Sequence, residues 1–361
     1  MRKIKNFSIR KNKDGSERYY WQPNSQYKKF GFKCTSLSPV LSIAKDQAIE
    51  LQNKLNQCEQ QQHALWAYRP LSQETLRSLR EYYRVGLTYT SNALEGNSLT
   101  ESETKVVIED GLTIEGKPLR DVYEAVGHAK AYDFLYEISH DSPLTEETIK
   151  TIHRLFYQQI DPERAGLYRN VPVFISGSQY AVAPVVEISK RMQQLVQWYN
   201  NQEGKMHPVE LAAELHKRFM YIHPFIDGNG RVSRLLMNLS LMRNDYNIAI
   251  IPAVCRSEYI AALEQGHKDA DTFVSFVADR VIMTQLDILR LFRETEPEPI
   301  KEDFSKVLID TIRRHPGLNA PSIAEHTGRS LRTTQRYLGE LKKEGFIRFE
   351  GVAKKGGYHI N

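Results

Sequence analysis

The densest grouping of chemically capable side chains in this 361-residue chain is the run Tyr221–Asn238, YIHPFIDGNGRVSRLLMN. His223 is the only group in its loop able to take a proton near neutral pH. Pro224 pushes the residue before it out of the α region, so a helix ending near Ile222 must stop there. A second helix is predicted to begin at Gly230 or Arg231 and to bury Leu235, Leu236 and Leu239. In the loop between them, Gly228 and Gly230 let backbone amides converge without Cβ interference, and the helix start adds partial positive charge. Together these make a nest for phosphate. Arg231 and Arg234 are three residues apart and share a face of the first turn, so two planar forks beside the nest suit a polyphosphate. Asp227 is a hard oxygen ligand, placed for a Mg²⁺ ion that keeps most of its waters.

Each feature has a plain structural counterpart: a capped or core histidine, and a Gly-Asn-Gly turn. Their conjunction within twelve residues argues for a site. Other phosphate motifs are absent. There is no G-x-x-x-x-G-K-[ST], and Gly228-Asn229-Gly230 lacks the preceding strand and third glycine of a dinucleotide fingerprint. No H-E-x-x-H occurs, so His207 and His216 read as structural.

His223–Arg234, HPFIDGNGRVSR, fills every specified position of H-P-F-x-[DE]-G-N-G-R-x-x-R, and on that ground the chain resembles the Fic (filamentation-induced-by-cAMP) family over roughly 64–295. The resemblance takes in AGLYRNVPVFISGSQYAVAPVVEI (165–188), similar to the family's Gly-x-Tyr-Arg segment and the target-positioning flap that follows it. It implies a protein adenylyltransferase that moves AMP from ATP to a Tyr, Ser or Thr hydroxyl of another protein. His223 would be the general base, Asp227 the Mg²⁺ ligand and Phe225 a core anchor for the loop. Gly228, Asn229 and Gly230 would cradle the α- and β-phosphates, Asn229 stabilising the transferred group, while Arg231 and Arg234 would meet the β- and γ-phosphates. Val173, Phe174, Ile175, Ser176, Gly177 and Ser178 would form the flap. Doc-type kinases lack the second glycine, so its presence favours AMP over phosphate.

A second stretch, TSNALEGNSLT (90–100), reads by itself as a helix C-terminus with a glycine stop. Beside the signature it resembles the family's inhibitory [ST]-x-x-x-E-[GN] motif, with Ser91, Glu95 and Gly96 in place and the inhibitory helix near 85–96 preceding the catalytic core. Glu95 would then pair with Arg234 in place of a γ-phosphate. The resemblance leaves open removal of AMP through the same glutamate, self-modification, a homodimer, and transfer of another nucleotidyl or phosphocholine group.

The elements that must carry these residues are predominantly helical. Apolar spacing predicts helices near 72–86, 100–110, 121–139, 145–159, 185–201, 207–222, 230–243, 256–264 and 270–292. Val171–Val182 alternates around Gly177-Ser178 as a hairpin would. The fold class expected is mainly α: a Fic-type helical core with a β-hairpin flap, a small N-terminal sheet-helix module over 1–60, and a C-terminal winged helix-turn-helix over 302–361. In the first module, strands are expected at 18–22 and 28–33 and a helix at about 42–57, in a layout that resembles the arm-binding modules of phage integrases. In the last, helices are expected near 303–314, 320–327 and 330–344, and strands at 346–350 and 357–360. Leu331, Thr334, Leu338 and Leu341 would face inward, leaving Arg332, Thr333 and Arg336 for a major groove and Lys354 and Lys355 for a wing contact with phosphate.

Charge follows the same division. Residues 1–60 carry +7, residues 301–361 carry +5, and the middle carries −7. Basic ends point to double-stranded DNA as a partner, and a DNA-binding regulator whose Fic core modifies itself or senses nucleotide is the competing reading. Three widely spaced cysteines suggest reduced thiols. No apolar run is long enough for a membrane span and no secretory signal is present, which predicts a cytoplasmic protein without membrane contact.

Overall fold

The structure is a computed structural model and describes residues 7–11, 17–21, 35–36, 41–69, 71–138, 142–295, 304–343, 345–351 and 356–361. The chain divides into two compact units, 1–59 with 78–285, and 60–77 with 286–361. Among the described residues its two longest helices are Leu41–Trp66 (α1) and Ala270–Thr295 (α10).

In the first unit, strands Phe7–Lys11 (β1), Glu17–Trp21 (β2) and Thr35–Ser36 (β3) form an antiparallel sheet in the order β1-β2-β3. Phe7 lies opposite Trp21, and Arg10 stacks on the Tyr20 ring at 4.8 Å. Strand β1 was not anticipated, and the expected strand at 28–33 lies outside the described residues. Helix α1 was expected to end at 57. It continues to Trp66, and within this unit Lys54 pairs with Asp279 of α10 at 2.9 Å while Gln285 donates to the Cys58 carbonyl at 3.1 Å.

The helical body follows the periodicity closely. Helices run over Gln73–Ala93 (α2), Glu101–Lys105 (α3, continued by one π-helical turn, Val106–Asp110), Leu119–Leu135 (α4), Glu146–Tyr157 (α5), Ile188–Gln202 (α6), Pro208–Ile222 (α7), Asn229–Arg243 (α8) and Arg256–Gln265 (α9). Helix α8 is buried on every face from Asn229 to Leu241, as a central helix must be. It packs mainly along α7, so the loop joining them opens at one end of the most constrained helix pair in the unit. Helices α4 and α5 approach so closely at Gly127 that a Cβ there would collide with the Phe156 carbonyl.

The expected flap hairpin forms no strand ladder. Ser178 N–H donates to the Ile175 carbonyl at 3.2 Å, closing the turn, but the arms are unpaired. Pro172 lacks a donor and no other strand lies alongside among the described residues, and an isolated two-stranded ribbon is marginal in water.

The second unit contains helices Phe304–Arg314 (α11), Ala320–Thr327 (α12) and Leu331–Lys343 (α13), then an antiparallel hairpin of Ile347–Glu350 (β4) and Gly357–Ile360 (β5). Leu308, Ile312, Ile323, Leu338, Leu341 and Ile347 make its core. Gly357 has no room for a Cβ against the Gly317 backbone, where Gly317 N–H meets the Tyr358 carbonyl at 2.9 Å.

Candidate active site

Pro224 stops α7 as expected, and the cost falls on His223, which takes a left-handed conformation at φ 52°. Arg169 holds that turn. Its Nε donates to the His223 carbonyl at 2.8 Å, its backbone N–H to the Pro224 carbonyl at 2.8 Å, and its other nitrogens to the carbonyls of Val171 and Ala183. The guanidinium thus ties both ends of the flap to the histidine turn. Burial pushes the His223 imidazole down to about 4, with Arg169 adding to the effect and the charges of Glu95 and Asp227 opposing it. At neutral pH the ring is uncharged.

Phe225 is fully buried and stacks flat on His153, with ring centres 3.8 Å apart and planes 2° from parallel. Gly166 N–H donates to His153 Nδ1 at 2.9 Å, so the neutral ring carries its proton on Nε2 and donates it to the Asp227 carbonyl at 3.2 Å. The side chain of Asn229 is committed to the loop: Oδ1 accepts from Phe225 N–H at 3.0 Å and Nδ2 donates to the Phe225 carbonyl at 2.9 Å. It braces the loop, so any part it plays toward a ligand falls to its backbone N–H.

Gly228 is left-handed at φ 77° and caps α8, whose first intrahelical donor is Val232. The amides of Asn229, Gly230 and Arg231 therefore have no acceptor within the helix. A carboxylate lies over them. Glu95 Oε1 is so close to Gly230 that a Cβ on that residue would overlap it, and it pairs with Arg234 Nη2 at 2.9 Å. Arg234 is buried. Its Nε donates to Ser91 Oγ at 2.9 Å and its Nη2 to the Ser91 carbonyl at 2.8 Å, so one guanidinium gathers the last turn of α2 and Glu95 just beyond it. Gly96, at φ 94°, turns the chain away, and Arg256 Nε caps the helix end at the Leu94 carbonyl, 2.8 Å distant. Burial alone would raise the Glu95 carboxyl, but Arg234 and Arg231 outweigh it and hold the group below the usual carboxylate range.

Arg231 draws partners from outside its own loop. Its Nη1 meets the buried Glu124 at 3.1 Å and its Nη2 meets Asp227 at 3.5 Å, with the guanidinium over the Phe156 ring at 4.7 Å. Glu124 also accepts from Arg120 and Asn97, and Arg120 reaches Asp227 as well. His216 is buried in contact with Ser233 and Tyr259, and His207 caps the start of α7.

The flap is exposed, Phe174 to 94%. Ser178 Oγ accepts from Tyr180 N–H, Gln179 N–H donates to Glu264 at 3.2 Å, and Tyr180 stacks on His267 at 3.7 Å. The opposite face of His267 stacks on Tyr221 at 3.6 Å, which links the flap to the helix that ends at His223.

Two expectations for α13 are corrected. Thr333 is buried, because it closes the helix start with Ser330, and Leu331 is exposed. Arg332 is exposed and Arg336 partly so, lying over Tyr337 at 4.9 Å. Lys354 and Lys355 lie outside the described residues.

Residues 143–241 match the family model described as Fic/DOC family, across α5 to α8 and the loop with His223. The stretch that holds the site is thus similar to the Fic/DOC family. Residues 303–348 match a second model, winged helix-turn-helix DNA-binding. Protein adenylyltransferase Fic from Nematostella vectensis is 34% identical over 232 residues, 63% of this chain and 53% of that protein. Protein adenylyltransferase fic-1 from Caenorhabditis briggsae is 35% identical over 213 residues, 56% of this chain and 40% of its own. The chain thus spans about half the length of the curated relatives it matches. Among solved structures, Fic-1 from C. elegans superposes with a TM-score of 0.63 at 28% identity, covering 69% of this chain and 74% of that one. A Fic domain containing signaling protein from Bacteroides thetaiotaomicron gives 0.61 at 29% identity, covering 67% and 97%. These likenesses bear out the Fic-type helical core, and the match over 303–348 bears out the C-terminal winged helix. No helix among the described residues is long and apolar enough to cross a membrane.

Proposed function

We propose that this Fic domain is a protein adenylyltransferase held inactive by Glu95. The observation that carries the reading is the Glu95–Arg234 pair laid over Gly230, an anion held on the buried guanidinium that would take the γ-phosphate of ATP, beside the α8 amides that would cradle its α- and β-phosphates. His223 accepts the proton of the target hydroxyl as its oxygen bonds to the α-phosphorus. The bond from that phosphorus to the β-bridging oxygen breaks, and diphosphate leaves. A neutral imidazole at pH 7 is the competent form of the base, and the negative charge of an incoming triphosphate raises its proton affinity toward the working range. Phe225, His153 and Asn229 hold the loop rigid, and the nest and arginines stabilise charge on the transferred group. Asp227, partly exposed at the edge of the nest, fits a Mg²⁺ ion that arrives with the nucleotide, since one carboxylate plus phosphates and waters suffices for that ion. When bound, the ion would neutralise charge on the phosphates, with Asp227, now paired with Arg120, as the residue that would hold it.

Incubation with α-labelled ATP tests the reading. A charge-assisted pair contributes roughly 1.5–3 kcal/mol, so Glu95→Gly should raise AMP incorporation about 10–100-fold, and adding His223→Ala should abolish it. Equal labelling by Glu95→Gly and the unaltered chain would remove the inhibitory role.

The match over 303–348 supports a second activity, contact of the winged helix with duplex DNA through the exposed Arg332. Arg332→Ala in the full chain should cost about 1–3 kcal/mol on a preferred duplex and relax specificity at the base pair it meets. Binding insensitive to salt would argue for a protein contact instead.

A further inference from the structure

A cavity of about 660 Å³ opens between α6 and α7, beside the active site and outside it. Its lining includes Lys190, Arg191, Arg218, Glu187, Trp198 and Tyr221. Arg191 pairs with Glu187 at 2.6 Å. Arg218 lies over the Trp198 ring at 4.2 Å and pairs with Glu214 at 2.9 Å, a carboxylate already shared with Lys217. Among the described residues Lys190 meets no carboxylate at ion-pair distance. Lining the cavity, Lys190, Arg191 and Arg218 stand against the one carboxylate Glu187, a net positive charge in the middle part of a chain whose total there is −7. The lining also places it. Tyr221 and Ile222 precede His223 directly, and Tyr221 is stacked through His267 to Tyr180 of the flap. The cavity thus adjoins the helix end that bears His223 and, through that stack, is linked to the flap.

We propose that this cavity docks an acidic segment of the protein substrate, the chain flanking its acceptor hydroxyl. Resting on the adenylyl-transfer reading, this names the substrate class: acceptors with Asp or Glu near the modified side chain. Lys190 and Arg191 supply charge, while Trp198, stiffened by Arg218, supplies a flat apolar wall for the stems of the acidic side chains.

The test uses the full-length chain and a fluorescein-labelled heptapeptide of alternating Glu and Asp around one Tyr, with its Gln/Asn counterpart as the neutral probe, followed by fluorescence anisotropy. The acidic peptide should bind at least tenfold more tightly than the neutral one. Lys190→Glu with Arg191→Glu should abolish that difference, whereas Lys205→Glu, exposed just beyond α6 and outside the cavity, should leave it intact. Lys190 and Arg191 are both exposed, so the double reversal should not impair folding, which circular dichroism checks. Binding indifferent to the double reversal, or lost equally with Lys205→Glu, overturns the proposal. The two readings fail separately. If Glu95→Gly transfers no AMP yet the peptide discriminates, adenylyl transfer is wrong and the acidic site holds; if AMP is transferred and the peptide does not discriminate, the reverse is true.

Discussion

At the scale of single residues, the geometry separates groups that face a reactant from groups that hold them. His223, Asp227 and the α8 amides face the nest; His153, Phe225, Asn229 and Arg169 keep them there. Phe225→Ala would leave a cavity against His153, Tyr168 and Phe219 and should cost about 3–5 kcal/mol in denaturant unfolding. The pH response of the base can be signed. Burial lowers its proton affinity while the Glu95 charge raises it, so removing Glu95 lowers it further. The acid limb of kcat/KM for Glu95→Gly should accordingly fall below the 6.5 of an ordinary imidazole, as a pH–rate profile would register. The facing residues were legible in the sequence because they lie within twelve positions of each other. Of their supports, Phe225 was legible in the same run as the loop's anchor, whereas His153 and Arg169 were not. Arg120 meets Asp227 across 107 residues, and Arg169 meets His223 across 54, so no local spacing could announce them.

Among elements, the most consequential is the end of α2. It is fastened by Arg234 from within and by Arg256 from outside, and the second contact touches no part of the nest. Arg256→Ala should loosen Glu95 without changing any group that meets ATP. Loss of one charge-assisted hydrogen bond of roughly 1.5 kcal/mol predicts AMP incorporation several-fold above the unaltered chain and well below Glu95→Gly. The flap is held by the stack of Tyr180 on His267, so His267→Ala should speed amide exchange over 173–180, read by mass spectrometry, and leave α8 protected. Helix boundaries in the body were readable from periodicity to within a few residues, since one face of each helix is apolar. The first turn of α13 was not, because the Ser330–Thr333 cap rather than hydrophobicity decides which side chain turns inward. The flap alternates like a strand, yet nothing pairs with it, and alternation alone cannot supply a neighbour.

For the molecule as a whole, burial lowers the proton affinity of four imidazoles in the first unit. Burial drives His128 down to about 3 and His153 and His223 to about 4, and holds His216 well below its ordinary value. In the unfolded chain all four would protonate near 6.5. Between about pH 4 and 6.5 the unfolded state therefore binds more protons, so their contribution is intact above that window and is lost as pH falls through it, by several kcal/mol in all. Thermal melts of the full chain should show Tm dropping steeply from pH 6.5 to 4 and little changed from 7 to 8.

The bare α-carbon at position 230 has a genetic corollary. The gap that would let a phosphate lie against the backbone is the same gap that admits the carboxylate, so any side chain placed there evicts both tenants. A screen for overactive alleles should therefore recover changes at Glu95, Ser91 or Arg256 and none at Gly230, where lifting the brake also removes the seat for fuel.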